Sequence, residues 1–211
     1  MMQSFEPELC LRVEVPICAF RPYESREYQD THPLPPPSAV YGMLLSFLGV
    51  QREEKSRHAG IGLALAIESE PSRSRVFRKL RRGKDLEDIR PDYQDLLVGL
   101  NLWVWIATAK DQSNPSLPIA IADALTHPEM VMRSGGLSLG ESSYLVDSVT
   151  RECPDEQAEL TFLIPDQKGF HNLPVWIDHA TNSRRRERFR FDQLPVTQGR
   201  DQAWITVEPT P

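Results

Sequence analysis

The sequence predicts an α+β fold of the ferredoxin-like class, on three observations. These are alternating apolar segments, apolar residues at helical spacing between them, and the order in which the two kinds of segment follow each other. The order is strand, helix, strand, a basic insertion, strand, helix, strand. A chain of 211 residues can bury a substantial core in one large domain. Its 40% hydrophobic and 26% charged residues exclude disordered and collagen-like classes.

The first strand and the first helix have the clearest local patterns. Residues 9–18 alternate between apolar and polar side chains, which predicts a half-buried strand. Its inward-facing residues are expected to be Leu9, Leu11, Val13, Val15 and Ile17. The prolines of residues 35–37 then hold the backbone extended up to Ser38, a favourable N-cap for a helix. Apolar residues recur at helical spacing as far as Leu48, and Gly49 stands where a C-terminal glycine belongs.

Weaker patterns predict the rest of the fold. The further predicted elements are strands over 61–68 and 97–106, a helix over 116–126, and strands over 143–149, 159–164 and 203–208. The pattern weakens after Pro165. We therefore expect a single domain over residues 1–211, in which residues 150–211 form irregular strands packed on the core.

The cysteines and the apolar segments bear on the cellular compartment. Cys10, Cys18 and Cys153 are an odd number without CxxC spacing, which indicates neither a disulfide framework nor a zinc site. No apolar run approaches the roughly 18 residues of a membrane span. The first ten residues lack a basic region followed by an apolar stretch. These observations predict a cytoplasmic protein with reduced thiols.

Charge is distributed unevenly along the chain. The net charge is −6, from 24 basic and 30 acidic residues. Residues 71–84 carry seven basic side chains and no acidic one, and residues 184–190 carry five arginines and one glutamate. Cations concentrated on an otherwise acidic body indicate that a polyanion such as nucleic acid binds at a defined place. The alternative for each segment is a solvated charged loop.

Enzyme motifs are weak in this sequence. Residues 136–140 (GLSLG) match the G-x-S-x-G nucleophile elbow, but the elbow needs a buried strand before it and a helix after it, and neither pattern is present. A tight glycine turn with close backbone approach explains the motif better. The five histidines lack the spacing of metal ligands, and no P-loop occurs. We predict no catalytic residue, no metal site and no cofactor.

Three segments together resemble one protein family. Residues 32–45 (HPLPPPSAVYGMLL) are similar to the P-P-S-A-x-x-G-x-L helix start of the Cas-five family, subunits of the type I CRISPR surveillance complex called Cascade. Residues 90–97 (RPDYQDLL) resemble the segment before that family's central strand. Residues 137–146 (LSLGESSYLV) resemble its L-x-L-G-x-S-x-x-x-V glycine loop. The matches stand in the family's order, cover about residues 9–150, and are most similar to the DevS-like branch of type I-B systems.

This resemblance implies both a fold and a function. The implied fold is a repeat-associated RNA-binding (RAMP) variant of the RNA-recognition motif, with residues 70–92 as a protruding basic β-hairpin, the thumb. The implied function is noncatalytic, because such subunits bind the 5′ handle of the CRISPR RNA, cap the backbone filament and support recognition of target DNA indirectly. The implied partners are the CRISPR RNA, a backbone Cas-seven subunit and a large Cas-eight subunit, with no membrane.

The alternative function is that of a metal-independent endoribonuclease that processes precursor CRISPR RNA. Relatives in type I-C systems cut the precursor with a tyrosine and an adjacent Lys-His pair. The present chain contains no Lys-His dipeptide. We therefore expect cleavage by a separate Cas-six endonuclease.

The candidate RNA-binding residues come from four segments. Arginines of a hairpin follow phosphates, an apolar residue such as Phe77 or Leu80 wedges against a base, and glycines allow positive φ or close approach of RNA to the backbone. The candidates are Ser38 at the helix start; Arg73, Arg75, Arg78, Lys79, Arg81, Arg82 and Lys84 in the basic segment; Arg133, Ser134, Gly135, Gly136, Gly140 and Ser142 in the glycine loop; and Arg184, Arg185 and Arg186 in the second arginine-rich segment.

Overall fold

The computed structural model describes residues 5–22, 25, 28–81, 89–181 and 183–209. Within this part of the chain, nine strands form one antiparallel sheet, and the α+β prediction is confirmed. The strands are β1 (Leu9–Cys18), β2 (Ile61–Ile67), β3 (Ser72–Arg81), β4 (Ile89–Ala107), β5 (Ser148–Thr150), β6 (Glu159–Pro165), β7 (His171–Ile177), β8 (Arg184–Pro195) and β9 (Ile205–Val207). The helices are α1 (Pro37–Phe47), α2 (Leu117–Thr126) and α3 (Val196–Gln202), with 3₁₀ helices at Arg52–His58 and Pro128–Met130. No helix of the described residues is long and apolar enough to cross a membrane.

The long strand β4 lies at the centre of the topology. The sheet order is β5-β1-β4-β2-β6-β8-β7, with β3 paired to β4 and β9 paired to β2. Residues 97–106 of β4 pair with β1 along one edge, while β2 and then β3 follow each other along the opposite edge. The 19 residues of β4 therefore belong both to the sheet and to a hairpin formed with the basic strand β3.

Strand β1 confirms the predicted alternation except at its end. Leu9, Leu11, Val13 and Val15 are buried in the main core, whereas Ile17 is 39% exposed and Cys18 takes the inward position instead. The phase of the alternation changes at Pro16, which lies between two regular β1–β4 pairs and opposite the stretch that contains Gly99. Gly99 has φ +74°, so the strand bends at this point in a way that a β-carbon would oppose.

Helix α1 begins two residues earlier than expected. Pro36 occupies the N-cap position, Pro37 starts the helix, and Ser38 is a buried residue of the first turn rather than the cap. A proline suits this first position because its missing N–H has no partner there in any helix. Gly49, with φ +72°, ends the helix as predicted, since Val50 N–H donates to Leu45 C=O at 3.0 Å in a Schellman arrangement.

The sheet buries apolar side chains on both faces. On one face α1, α2 and the segment of Leu137 and Leu139 cover the inward residues of β1, β2 and β4. On the other face α3 covers a smaller cluster in which Trp105 stacks on Phe162 with ring centroids 5.7 Å apart. Strand β2 is buried on both sides because its Ile and Leu side chains meet the helices and its alanines lie under the tryptophans.

The C-terminal half differs from the sequence prediction in two ways. The strand predicted over 143–149 is reduced to β5 (Ser148–Thr150), because residues 141–144 form a turn closed by Tyr144 N–H on Glu141 C=O. Strands β7 and β8 and helix α3 were not predicted. Strand β8 contains consecutive arginines whose long stems cover apolar surface, so its sequence lacks the apolar–polar alternation of a half-buried strand.

Candidate nucleic-acid interface

The basic segment forms one arm of a β-hairpin. Strand β3 pairs with β4 from Ser72 opposite Val98 to Arg81 opposite Ile89. We call these paired residues, 72–81 and 89–98, the basic hairpin. Arg82 and Lys84 lie outside the described residues, and of Arg81 the structure describes the backbone but not the side chain.

Arg75 lies at the base of the hairpin and is held by protein groups. Its Nε donates to Asp95 Oδ1 at 2.9 Å, and its guanidinium lies 4.9 Å from the ring centroid of Tyr28. Tyr28 also donates its hydroxyl to Asp95. Burial opposes ionisation of Asp95, but the hydrogen bonds from Arg75 and Tyr28 outweigh it and hold the pKa of this carboxyl below its usual value. Nearby, Arg73 forms a weaker ion pair with Asp30 at 3.8 Å.

The opposite face of the hairpin contacts the glycine loop, residues 133–145. Arg78 donates to the hydroxyl of Tyr144, and its guanidinium lies 5.5 Å from the Tyr144 ring. Gln94, which is buried, donates to Glu141 Oε1 at 2.8 Å. These contacts fix the hairpin base relative to the glycine loop, and they occupy Arg78, which the sequence assigned to RNA.

An exposed aromatic pair lies on the same face of the hairpin as Arg75, farther from the base. Phe77 is 59% exposed and Tyr93 is 52% exposed, and the two rings, directly opposite across the strands, meet edge to face at 5.4 Å. Lys79 is also exposed and makes no hydrogen bond or ion pair with the described residues. Exposed rings beside a free cation form a surface on which unpaired bases stack while the cation neutralises phosphate.

A cleft of about 570 Å³ opens between α1, the glycine loop and β7; we call it the main cleft. Ser38 and Gly140 line it, so the structure brings together two of the segments that the sequence singled out. Four basic side chains also line it, and none of them was predicted: Arg21, Arg52, Lys55 and His179. They come from three separate places in the chain, because Arg52 and Lys55 share one short 3₁₀ helix. None of the three lies in a predicted basic segment.

Lys55 is the most perturbed cation of the main cleft. It donates to Ile177 C=O at 3.1 Å, and its ammonium lies 4.9 Å from the Trp176 ring centroid. Burial and the neighbouring charge of Arg52 lower the pKa of Lys55 to about 8. Burial, together with Lys55 and Arg52, also lowers the pKa of His179, which is therefore neutral at pH 7. The main cleft thus holds three cations and a neutral imidazole at pH 7, together with the carboxyl group of Glu141.

The three glycines of the loop differ in backbone conformation and in the atoms that a β-carbon would meet. Gly140 has φ +93°, and a β-carbon there would lie 2.4 Å from Ala19 C=O, so its close approach is to the chain itself. Gly135 also has positive φ, +79°, but faces open space. At Gly136 a β-carbon would meet the side chain of Leu145 at 2.7 Å, and φ is not positive. The loop is followed by a turn and not by a helix, so residues 136–140 are not a nucleophile elbow.

The remaining predicted residues lie outside the main cleft. Arg133, Ser134 and Ser142 are exposed on the glycine loop, and the backbone at Arg133 packs beside Gly49 at the end of α1. Arg185 on β8 donates to Glu187 and to the carbonyls of Thr206 and Glu208, and Arg184 and Arg186 also interact with other residues of the chain. Among the described residues, no three His, Cys, Asp or Glu side chains converge as metal ligands.

Comparison with known proteins decides the family. The family model described as "CRISPR-associated protein (Cas_Cas5)" matches residues 8–97, which include the α1 motif and the basic hairpin. The curated "CRISPR-associated protein Cas5" of Myxococcus xanthus (strain DK1622) is 33% identical over 197 residues, covering 88% of this chain and 91% of that protein. The chain belongs to the Cas5 family. The resemblance to that family is therefore confirmed, and the family model covers two of the three segments that carry it, residues 32–45 and 90–97.

Solved structures support the fold at lower sequence identity. A chain of a structure described as "CRISPR RNA-guided surveillance complex" superposes with a TM-score of 0.59 at 18% identity, over 92% of this chain and 95% of that one. A structure described as "Crystal structure of Cas protein" gives a TM-score of 0.53 at 16% identity, over 90% and 96%. The predicted RAMP-like α+β fold of the Cas5 family is thereby confirmed.

Proposed function

We propose that this Cas5 protein is a noncatalytic subunit of a type I CRISPR surveillance complex and binds the 5′ handle of the CRISPR RNA. In this proposal it caps the backbone filament in the cytoplasm, contacts a backbone Cas-seven and a large Cas-eight subunit, and supports recognition of target DNA indirectly. From the DevS-like resemblance of its motifs we further propose that it belongs to a type I-B system. One observation carries the proposal: the main cleft gathers Arg21, Arg52 and Lys55 around Ser38 and Gly140, which belong to two of the three family motifs.

The main cleft suits a bent single strand of RNA. Its cations are spaced around an open groove, where they neutralise successive phosphates, and the hydroxyls of Ser38 and Ser138 line the same walls. A second cleft adjoins the first and shares Arg52, Lys55 and His179 with it, but Glu53 and Asp178 also line this second cleft. Arg52 and Lys55 therefore lie where the two clefts meet.

The basic hairpin supplies the second part of the proposed site. Because Arg75 and Arg78 are held by Asp95 and Tyr144, we assign RNA contact to the exposed Lys79 and to the aromatic pair of Phe77 and Tyr93. The bonded arginines position the hairpin instead. Stacking on the aromatic pair is worth about 1–3 kcal/mol per base.

Ultraviolet crosslinking of the native complex tests this assignment. The complex is purified with its RNA, irradiated and digested, and the RNA-bearing peptides are identified by mass spectrometry. We expect crosslinks on the peptides that contain Phe77, Tyr93 and the walls of the main cleft. Phe170 is the matched control, because it is 96% exposed but lies on the turn between β6 and β7. Crosslinks at Phe170 and none at the hairpin or the main cleft would contradict the proposal.

The lowered pKa of Lys55 predicts that RNA affinity depends on pH. Only the ammonium form attracts phosphate, so affinity should fall up to about tenfold as the pH rises from 7 to 9 through the pKa of about 8. Lys55→Arg should remove this fall, because a guanidinium stays charged. The free energy of unfolding of the RNA-free protein should change in the opposite direction. It should rise between pH 8 and 10.5, because the unfolded chain keeps the Lys55 proton up to its ordinary pKa. Fluorescence anisotropy with the co-purified RNA measures the affinity, and a wild-type affinity that stays constant over this range contradicts the prediction.

The second candidate function, metal-independent endoribonuclease, is favoured by one observation in the main cleft. His179 is neutral at pH 7 and can accept a proton, and Lys55, with a pKa of about 8, can donate one. Incubation of the purified protein with 5′-labelled repeat RNA in EDTA decides between the two functions. Cleavage that Lys55→Met and His179→Ala both abolish establishes the nuclease. Intact RNA at full binding supports the noncatalytic subunit.

A further inference from the structure

Two thiols that are far apart in the sequence meet beside β1. Cys10 on β1 is 5% exposed, whereas Cys153, three residues after β5, is exposed. Both line a cleft of about 340 Å³ together with Trp105, Arg151 and Arg200. The two side chains lie close enough together for Cys153 to raise the pKa of the Cys10 thiol. No residue of the proposed RNA-binding site lines this cleft among the described residues.

The strand register explains why the two residues meet. Strand β5 pairs with β1 through Arg12 opposite Thr150 and Glu14 opposite Ser148. If this register is extended by two positions, Cys10 lies opposite Glu152 and next to Cys153. Cys153 is therefore the neighbour of the residue opposite Cys10, on a segment that has left the strand and is not bound to its alternation. Both side chains line the same cleft, so the two thiols face one place, where a disulfide requires Cα atoms about 4.4–6.8 Å apart.

We propose that Cys10 and Cys153 are an oxidant-sensitive site, at which a low-molecular-weight disulfide such as oxidised glutathione closes a disulfide between β1 and the segment that follows β5. The exposed thiolate of Cys153 attacks one sulfur of oxidised glutathione, forming a mixed disulfide and releasing one glutathione thiolate. Cys10 then loses its proton to solvent and attacks the sulfur of Cys153, which releases the second glutathione. Two protein thiols are oxidised, and one glutathione disulfide is reduced to two thiols.

Burial sets the order of the two steps. Burial raises the pKa of the Cys10 thiol well above its usual value, as does its contact with Cys153, so Cys10 is a poor first nucleophile. Cys153 is accessible and reacts first. Cys18 has no partner thiol within reach and is fully buried, and burial raises its pKa to about 12. Cys18 should therefore remain reduced and serves as an internal reference.

Thiol titration of the full-length protein tests the proposal. After exposure to oxidised glutathione, two of the three thiols should be lost under denaturing conditions, and peptide mapping should show a Cys10–Cys153 link. The melting temperature should rise by about 5 °C or more, because the link closes a long loop of the unfolded chain, and dithiothreitol should reverse the rise. Cys18→Ala should behave like the wild type in these measurements.

A second variant keeps the result interpretable. Cys153→Ser changes an exposed side chain, so it should fold normally, and its Cys10 thiol should survive the oxidant. Loss of the Cys10 thiol in Cys153→Ser overturns the proposal. Three intact thiols, a lasting glutathione adduct on Cys153 alone, or a dimer linked through Cys153 in the wild type also overturn it.

Discussion

Gly140→Ala should lower the free energy of unfolding by about 3 kcal/mol, and the melting temperature by roughly 10 °C. The backbone at Gly140 has φ +93°, and the added β-carbon would lie 2.4 Å from Ala19 C=O and 3.1 Å from the ring of Phe20. The backbone strain at positive φ and the steric clash with Ala19 act together, because the backbone at Gly140 cannot rotate without moving the end of β1. Thermal and urea unfolding, followed by circular dichroism, measure the change.

The same substitution elsewhere in the loop provides the control. Gly135→Ala meets a comparable φ of +79° but no atom within 4 Å, so it should cost about 1 kcal/mol. The difference between the two variants isolates the close approach to Ala19. Residues 19–21 also line the main cleft, so Gly140→Ala should weaken RNA binding and Gly135→Ala should not. Equal losses of stability in the two variants would show that the contact with Ala19 contributes nothing.

Removal of the three side chains of the main cleft that are positively charged at pH 7 should reduce affinity for the CRISPR RNA about 100-fold at pH 7 and 0.15 M salt. The variant combines Arg21→Gln, Arg52→Gln and Lys55→Met, and loses three charge-assisted phosphate contacts. Counterion release predicts that the slope of log affinity against log salt becomes shallower by about 2, since each contact on a single strand contributes about 0.7. Affinity measured at several salt concentrations gives both quantities.

This variant has a control of equal charge outside the main cleft. Arg57→Gln, Arg151→Gln and Lys168→Met also remove two arginines and one lysine, and Arg57 belongs to the same 3₁₀ helix but lines a different cleft. The control should keep RNA affinity within about twofold. Folding of the main-cleft variant should be intact, because methionine fills the place of Lys55 against Trp176 without burying a charge. A loss of affinity in both variants would mean that total charge, and not the main cleft, holds the RNA.

The parts of the site that the sequence could predict are those carried by short local patterns. The proline-led start of α1 and the glycine turn depend on neighbouring residues; the helix start was predicted to within two residues, and the turn was predicted in place. The basic hairpin was expected over residues 70–92 from the family resemblance. The main cleft was not predicted, because Arg21, Arg52 and His179 come from separate segments that only the folded chain brings together. A single cation between ordinary loop residues gives no signal of its own.

The partners of the basic residues could not be predicted either. The sequence gives Arg75 and Arg78 the same character as Lys79, since all three belong to one basic run. Only the register of β3 against β4 reveals that Asp95 lies opposite Arg75, and only tertiary packing brings Tyr144 to Arg78. Charge density along a chain therefore indicates a site for a polyanion without showing which cations are already paired.

The continuity of β4 has a mechanical consequence. Its 19 residues extend over about 60 Å from the hairpin into the middle of the sheet, where β1 and β2 pair with it on either side. A force applied to the hairpin by a neighbouring molecule is therefore carried along one backbone and resisted by two rows of hydrogen bonds loaded in shear. With no linker between hairpin and sheet, Gly99 is where the strand most readily bends. Displacement of the hairpin should therefore strain the hydrogen bonds at the centre of the sheet, so that the hairpin and the sheet deform together.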